Sequence, residues 1–256
     1  MILIKTPEEI KTMAEGGRIL ARIMRELEKR VRPGITTQDL DGLAESLIFK
    51  SGGECSFKGY EDHGGEPVEP FPNCLCVSIN EVMVHGLPSK EPLAEGDIVS
   101  LDLGLFYKGF HTDMARTFAV GTISSEAKKL LEVTKKALEI AIREVKPGQH
   151  FGDIEWATQN YVESQGFNVV RELCGHGIGR QLHEEPQIMN FGKEGTGEEI
   201  KEGMVFCIEP MVSVGHWKLK KSPDGFGYQT QDGSLTCHFE DTVAVLNGRA
   251  VILTKL

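Results

Sequence analysis

An α+β fold of two related halves, with helices outside and strands meeting centrally, is what this sequence predicts. Three observations lead there: a helix, Pro-Gly break and helix that occur twice; a Glu-Gly turn running into an apolar strand that also occurs twice, in the same order; and isolated acids lodged inside those apolar strands.

The first unit opens on a helix with Ile10, Met13, Leu20, Met24, Leu27 and Val31 on one face, spaced by threes, fours and sevens. Thr6, Pro7 and Glu9 supply its N-cap, first-turn proline and capping-box acid. Residues 30–53, RVRPGITTQDLDGLAESLIFKSGG, then align with residues 144–167, EVKPGQHFGDIEWATQNYVESQGF, at a constant offset of 114. Pro33-Gly34 falls on Pro147-Gly148, Asp39 on Asp153, Leu40 on Ile154 and Gly52 on Gly166. The helix preceding the second copy is expected from about Ser124 to Val145. In the strand echo, LAEGDIVSLDLG (93–104) matches IKEGMVFCIEPM (200–211), and Asp102 and Glu209 each stand six residues after the turn glycine. No Ser/Pro-rich linker separates the halves, so residues 1–256 read as one domain with halves of roughly 1–120 and 121–256.

Composition excludes several classes of function. The chain carries 28 Lys+Arg against 38 Asp+Glu, a formal net charge of −10, which opposes binding to a phosphate backbone. Its longest uncharged stretch, Pro70 to Asn80, is 11 residues, too short to span a bilayer, and MILIKTPEEI lacks the layout of a signal peptide. A soluble, cytoplasmic protein is expected, and with no heptad or exposed apolar stripe, a monomer. The six cysteines, Cys55, Cys74, Cys76, Cys174, Cys207 and Cys237, show no paired C-x-x-C spacing and are expected to be free, mostly buried thiols.

A carboxylate buried in a strand is costly unless paired or bound to metal. Asp102 lies in IVSLDLGLF, Glu209 in MVFCIEPM, and Asp113 follows in GFHTDMARTFAV. If Lys108-Gly109 makes a two-residue hairpin turn, Tyr107 pairs with Phe110 and Gly104 faces Asp113, which puts Asp102 and Asp113 on one face. Two such acids can share a proton, bracket an arginine or hold a divalent cation. The second half adds His176 in CGHGIGR and Glu240 in SLTCHFEDTVAV, where Thr236, His238 and Glu240 are expected on one face of an alternating strand. Four acids and one imidazole are too negative for one structural zinc and suit two divalent ions, a hydrolytic arrangement. His85 in SINEVMVHGLP and His183 in GRQLHEEP are candidate donors to a scissile carbonyl or oxyanion. His63, His111, His150 and His216 read as ordinary surface or core histidines, and His238 as undecided.

Together SINEVMVHGLP, DLGLFYKGFHTDMARTF, GHGIGRQLHEEP, MVFCIEPM and FEDTVAV, in this order, resemble the type I methionine aminopeptidases over nearly the whole chain. The resemblance implies the pita-bread fold, two pseudo-twofold-related halves with a central antiparallel sheet and outer helices, and excision of the initiator methionine when the next residue is small. It implies two divalent ions (Co, Mn, Fe or Zn) held by Asp102, Asp113, His176, Glu209 and Glu240, with Asp113 and Glu240 bridging. His85 and His183 match substrate-contacting histidines, and Glu209 a proton shuttle. The implied partners are the N-termini of nascent polypeptides and, beyond them, the ribosome, with neither nucleic acid nor membrane bound directly. A methionine pocket would be walled by Tyr60, Phe71, Cys76, Leu182 and Phe226. The sequence departs from the family's pattern at three of its positions: Leu182 stands for an aromatic, Phe226 for tryptophan and His238 for glutamine. Between Tyr60 and Phe71 it carries an extra acidic stretch, EDHGGEPVEP.

The helix beginning at Thr6 leaves no N-terminal extension to expect, and 256 residues leave little room for the inserted domain of type II relatives. Two rivals stand beside this reading. A proline-specific aminopeptidase or dipeptidase shares the metal pentad but usually carries an N-terminal domain. A non-catalytic binding protein of the same fold could lose ligands, whereas all five and both histidines are present here.

Overall fold

The computed structural model describes residues 2–61 and 69–256. Most of the extra acidic stretch, with His63, lies outside the described residues. The first half runs α1 (Pro7–Glu28), α2 (Thr37–Lys50), β1 (Glu54–Cys55), β2 (Leu75–Ile79), β3 (Val82–Val84), β4 (Ile98–Tyr107) and β5 (Phe110–Ala119). The second opens with α3 (Ser125–Glu144) and α4 (Phe151–Ser164), followed by β6 (Asn168–Val169), β7 (Cys174–Gly177), β8 (Glu184–Met189), β9 (Val205–Ile208) and β10 (Met211–Ser213). It ends with β11 (Leu219–Lys221), β12 (Tyr228–Thr230), β13 (Thr236–His238), β14 (Asp241–Leu246) and β15 (Arg249–Ile252).

The sequence repeat is a structural repeat. α1–α2 and α3–α4 are equivalent helix pairs. The glycines of both Pro-Gly breaks, Gly34 and Gly148, sit at φ +86° and +89°, and the helix-ending Gly52 and Gly166 at +78° and +87°, a region glycine enters without steric cost. The aligned Asp39 and Asp153 are both N3 residues, each closing its helix N-terminus against Thr36 and His150. α1 is capped by the Thr6–Glu9 box, and its predicted face is buried except at Val31, which falls beyond the last turn.

Every strand pairing among the described residues is antiparallel, but the strands divide among four sheets rather than one central sheet. In the first half β4 pairs β5 along its whole length, while β1 and β2 share the other edge of β4 end to end. The second half has the order β15-β14-β9-β7-β8. The turn glycines of the strand echo, Gly96 and Gly203, take φ +95° and +83° and launch β4 and β9 in parallel roles. The halves meet where β5 lies against β13 and β14, with the Glu240 N–H donating to the Ala115 carbonyl and the Thr117 hydroxyl to the His238 carbonyl.

Two expectations are corrected. Cys55 and Cys74 are joined as a disulfide, with Cα atoms 5.2 Å apart, leaving Cys76, Cys174, Cys207 and Cys237 as free thiols. Chain spacing could not show that β1 ends where β2 begins on one edge of β4. Glu209 and Glu240 are not inside strands. Glu209 follows the last residue of β9, ahead of Pro210, which has no N–H to continue a ladder, and Glu240 occupies the break between β13 and β14. Among the described residues, no helix is long and apolar enough to cross a membrane.

Candidate metal centre

The β4–β5 hairpin sets the first two acids. Lys108 and Gly109 both take positive φ, 50° and 86°, as a two-residue turn matched to strand twist requires. Tyr107 therefore pairs with Phe110 and Gly104 with Asp113, and Asp102, two residues from Gly104, shares the Asp113 face. From the second half, the break after β9 brings Glu209 and the break before β14 brings Glu240 to the same place. His176 arrives on β7. Gly175 and Gly177 flank it because a Cβ at either would collide with the Cys207 or Glu185 carbonyl, so these glycines admit neighbouring backbone.

Oxygens of Asp102, Asp113 and Glu240 all lie within 4.8 Å of one another. A second group, again within 4.8 Å, joins the same Glu240 to His176 and the Cys207 sulfur. His176 Nε2 is 3.7 Å from Glu209 Oε1 and 4.0 Å from Glu240 Oε1, while its Nδ1 bonds the Gly177 carbonyl at 2.9 Å. His238 is fully enclosed, with Nε2 3.4 Å from Glu209 Oε2, so the undecided histidine belongs to this cluster.

Burial dominates the electrostatics. It pushes the carboxyls of Asp102, Glu209 and Glu240 well above the usual range, aided at Asp102 and Glu240 by the neighbouring negative charges. Asp113 rises to about 7, from burial and then from Glu209. Burial also lowers His176 and His238 to about 3. Among the described residues, none of the four acids has a Lys or Arg ion-pair partner. One buried oxygen each of Asp102, Asp113 and Glu240 has no hydrogen-bond partner among the described residues. Partnerless inward-facing carboxylate oxygens beside an imidazole fit divalent cations, which would supply the missing counter-charge.

The other predicted residues gather around this cluster. His183 stacks edge-on against His176 with centroids 4.4 Å apart, and its Nδ1 meets the Tyr60 hydroxyl at 2.7 Å. His85 takes a left-handed φ of 59° beyond β3, with its ring 5.9 Å from Tyr228. Tyr60, Phe71, Cys76, Leu182 and Phe226 fall in one apolar cluster, and Cys76 pairs directly with Asp102 in the β2–β4 register. Phe57 and Leu87 join the same cluster, Phe57 edge-on to Phe71 at 6.5 Å and Phe71 to Phe226 at 5.7 Å. His111, His150 and His216 have other partners: His111 bonds Ser56, His150 caps α4 and His216 stacks on Trp217.

Comparison with known proteins agrees with this geometry. Residues 11–247 match the model of metallopeptidase family M24. Methionine aminopeptidase 1 of Bacillus subtilis is 45% identical over 256 residues, spanning 100% of both chains. The chain belongs to metallopeptidase family M24, among its methionine aminopeptidases. A methionine aminopeptidase structure from Thermotoga maritima superposes on this M24 chain with a TM-score of 0.94 at 45% identity, covering 100% of both. An Xaa-Pro dipeptidase from Bacillus anthracis gives 0.76 at 25% identity, with 99% of this chain covering 62% of that one. The M24 chain thus has the pita-bread fold and is a metal-dependent hydrolase.

Sequence reasoning missed Phe57, Leu87, Cys207 and three residues at the seam of the halves, Arg116, Asp241 and Thr242. Signals for two of these were present: Thr242 stands two residues after Glu240, and Arg116 three after Asp113.

Proposed function

We propose that this chain removes the N-terminal methionine from polypeptides whose second residue is small, using two divalent ions held by Asp102, Asp113, His176, Glu209 and Glu240. The observation that carries the reading is the buried cluster of acids without Lys or Arg partners, lying beside an apolar wall. Asp113 and Glu240 would be shared between the two ions, a reading supported by Glu240 being common to both donor groups. Bound divalent ions supply polarisation of a peptide carbonyl and a water acidic enough to ionise near neutral pH.

The remaining work falls to side chains. With the Tyr60 hydroxyl donating to Nδ1 of His183, its Nε2 carries the ring proton and donates to the substrate carbonyl oxygen as negative charge develops there. His85 contacts the scissile nitrogen. Glu209, raised in pKa by burial, accepts the proton of the attacking water at its carboxylate and returns it to the departing amine. Phe57, Tyr60, Phe71, Cys76, Leu182 and Phe226 enclose the methionine side chain, whose burial contributes roughly 1.5–3 kcal/mol. Residues 1–256 are read as one catalytic domain with the site between its halves, acting as a cytoplasmic monomer on nascent chains at the ribosome.

The test is release of free methionine from Met-Ala-Ser and Met-Leu-Ser by metal-free protein reloaded with Mn²⁺, Co²⁺, Fe²⁺ or Zn²⁺, beside an Ala-Pro-Ser control. Metal-dependent cleavage of Met-Ala-Ser alone is expected. Cleavage of Ala-Pro-Ser instead would move the chain to the proline-specific branch. Two bound ions without turnover would favour a binding protein.

A further inference from the structure

The acids assigned as bridging come from different halves, Asp113 from β5 and Glu240 from the break before β14, so nothing in either half alone sets their separation. Two sets of bonds across the seam do. The Thr242 hydroxyl, fully buried, accepts from the Asp113 N–H at 2.9 Å and donates to the Asp113 carbonyl at 2.8 Å, pinning that peptide to β14. The Glu240 peptide is held at both ends: its N–H donates to the Ala115 carbonyl at 2.9 Å, and its carbonyl accepts from Arg116 Nη1. Nη2 of the same guanidinium donates to Asp241 Oδ1 at 2.6 Å, an oxygen that also accepts from the Thr254 hydroxyl at 2.8 Å. Arg116 thus grips the residue that carries one bridging acid and the residue after it, from a strand position three beyond the other bridging acid. A planar, multidentate guanidinium suits this task, since its donors cannot swing independently.

We propose that Arg116, working through Asp241 and the Glu240 carbonyl, is a positioning residue that sets the distance between Asp113 and Glu240 and thereby the affinity for the second divalent ion. The inference rests on the two-ion reading above. Arg116 bonds the Glu240 carbonyl and the Asp241 carboxylate, not the side chain of any of the five proposed ligands. Its side chain is about one-quarter exposed (23%), so shortening or neutralising it leaves no sealed cavity.

The experiment titrates metal-free wild type, R116M, R116K, D241N and the R116M/D241N double variant with Mn²⁺ by calorimetry, with the metal-free melting temperature of each as a folding control. Wild type is expected to take up two ions. R116M and D241N should keep the first and bind the second ~10–100-fold more weakly, as removal of an outer-shell partner typically does. The double variant should be no weaker than either single one, because R116M removes the donors and D241N the charge of one linkage. R116K, which restores the charge without the fork, should recover part of the loss. A merely structural role would lower the melting temperatures and leave the ratio of the two affinities where it was, and that result overturns the proposal. If R116M does not fold, the isosteric D241N decides by the same criterion. Uptake of a single ion by wild type would overturn the two-ion reading and the clasp with it, whereas two ions bound alike by wild type and variants overturn the clasp alone.

Discussion

His85 shows how much a single residue carries that periodicity cannot express. Its φ of 59° is a conformation non-glycine residues enter at a cost, kept here by the flanking contacts. The Leu87 N–H donates to Asp224, whose other oxygen accepts from Phe226 and Gly227, so the histidine segment and the loop carrying Phe226 are tied together. If the His85 contact strengthens as the peptide bond breaks, H85A should lower kcat by about 10²-fold while moving KM little, as for removal of one transition-state donor. Steady-state kinetics on Met-Ala-Ser would show it, and an unchanged kcat removes His85 from the mechanism. Its motif was legible in the sequence. Its backbone strain was not, because strain arises from what surrounds a residue.

At the scale of elements, Asp41 illustrates a role the linear pattern concealed. It faces inward from α2, where one carboxylate oxygen accepts the N–H groups of Cys74 and Leu75, each at 3.0 Å, and the other accepts from the Asn73 amide at 2.6 Å. These bonds fix the start of β2, and β2 in turn sets Cys76 opposite Asp102. D41A leaves two buried N–H donors unsatisfied and should cost about 2–3 kcal/mol, while D41N keeps an acceptor and should cost less. Thermal melts of the two variants check the ranking, and equal losses would show that charge rather than acceptor geometry matters. The helices themselves were readable to within about three residues, since Thr6, Ser124 and the two Pro-Gly breaks are local signals. The strand ends at Glu209 and Glu240 were not, since breaks there depend on which backbone partners arrive.

For the whole molecule, the acid cluster is a stability liability that metal removes. In metal-free protein the folded Asp113 holds its proton up to about pH 7 while an unfolded aspartate has lost it near 3.8, and the other three acids shift the same way. Folded chains therefore bind more protons than unfolded ones, and stability falls as pH rises through the folded pKa values. His176 and His238, lowered to about 3, oppose this only below about pH 6.5, where unfolded histidines become charged. The melting temperature of metal-free protein should accordingly fall as pH rises toward about 7, most steeply above about pH 6.5 where the histidines no longer oppose it, and saturating Mn²⁺ should abolish that fall. A flat metal-free profile would mean that the acids are compensated in some other way.

Local chemistry was enough to determine the helix pairs, the duplication, the hairpin register that aligns Asp102 with Asp113, and the identity of the acids and histidines. Capping, turn preference and alternation act over a few residues and are written in order along the chain. Only the tertiary structure decided that Cys55 meets Cys74, that Phe57 packs edge-on against Phe71, that His238 lies against Glu209, and that Arg116 and Thr242 bond across the seam of the two halves beside the acids. The Cys55–Cys74 pair is 19 positions apart and the Asp113–Thr242 pair 129, and no local rule records which surfaces a fold will press together.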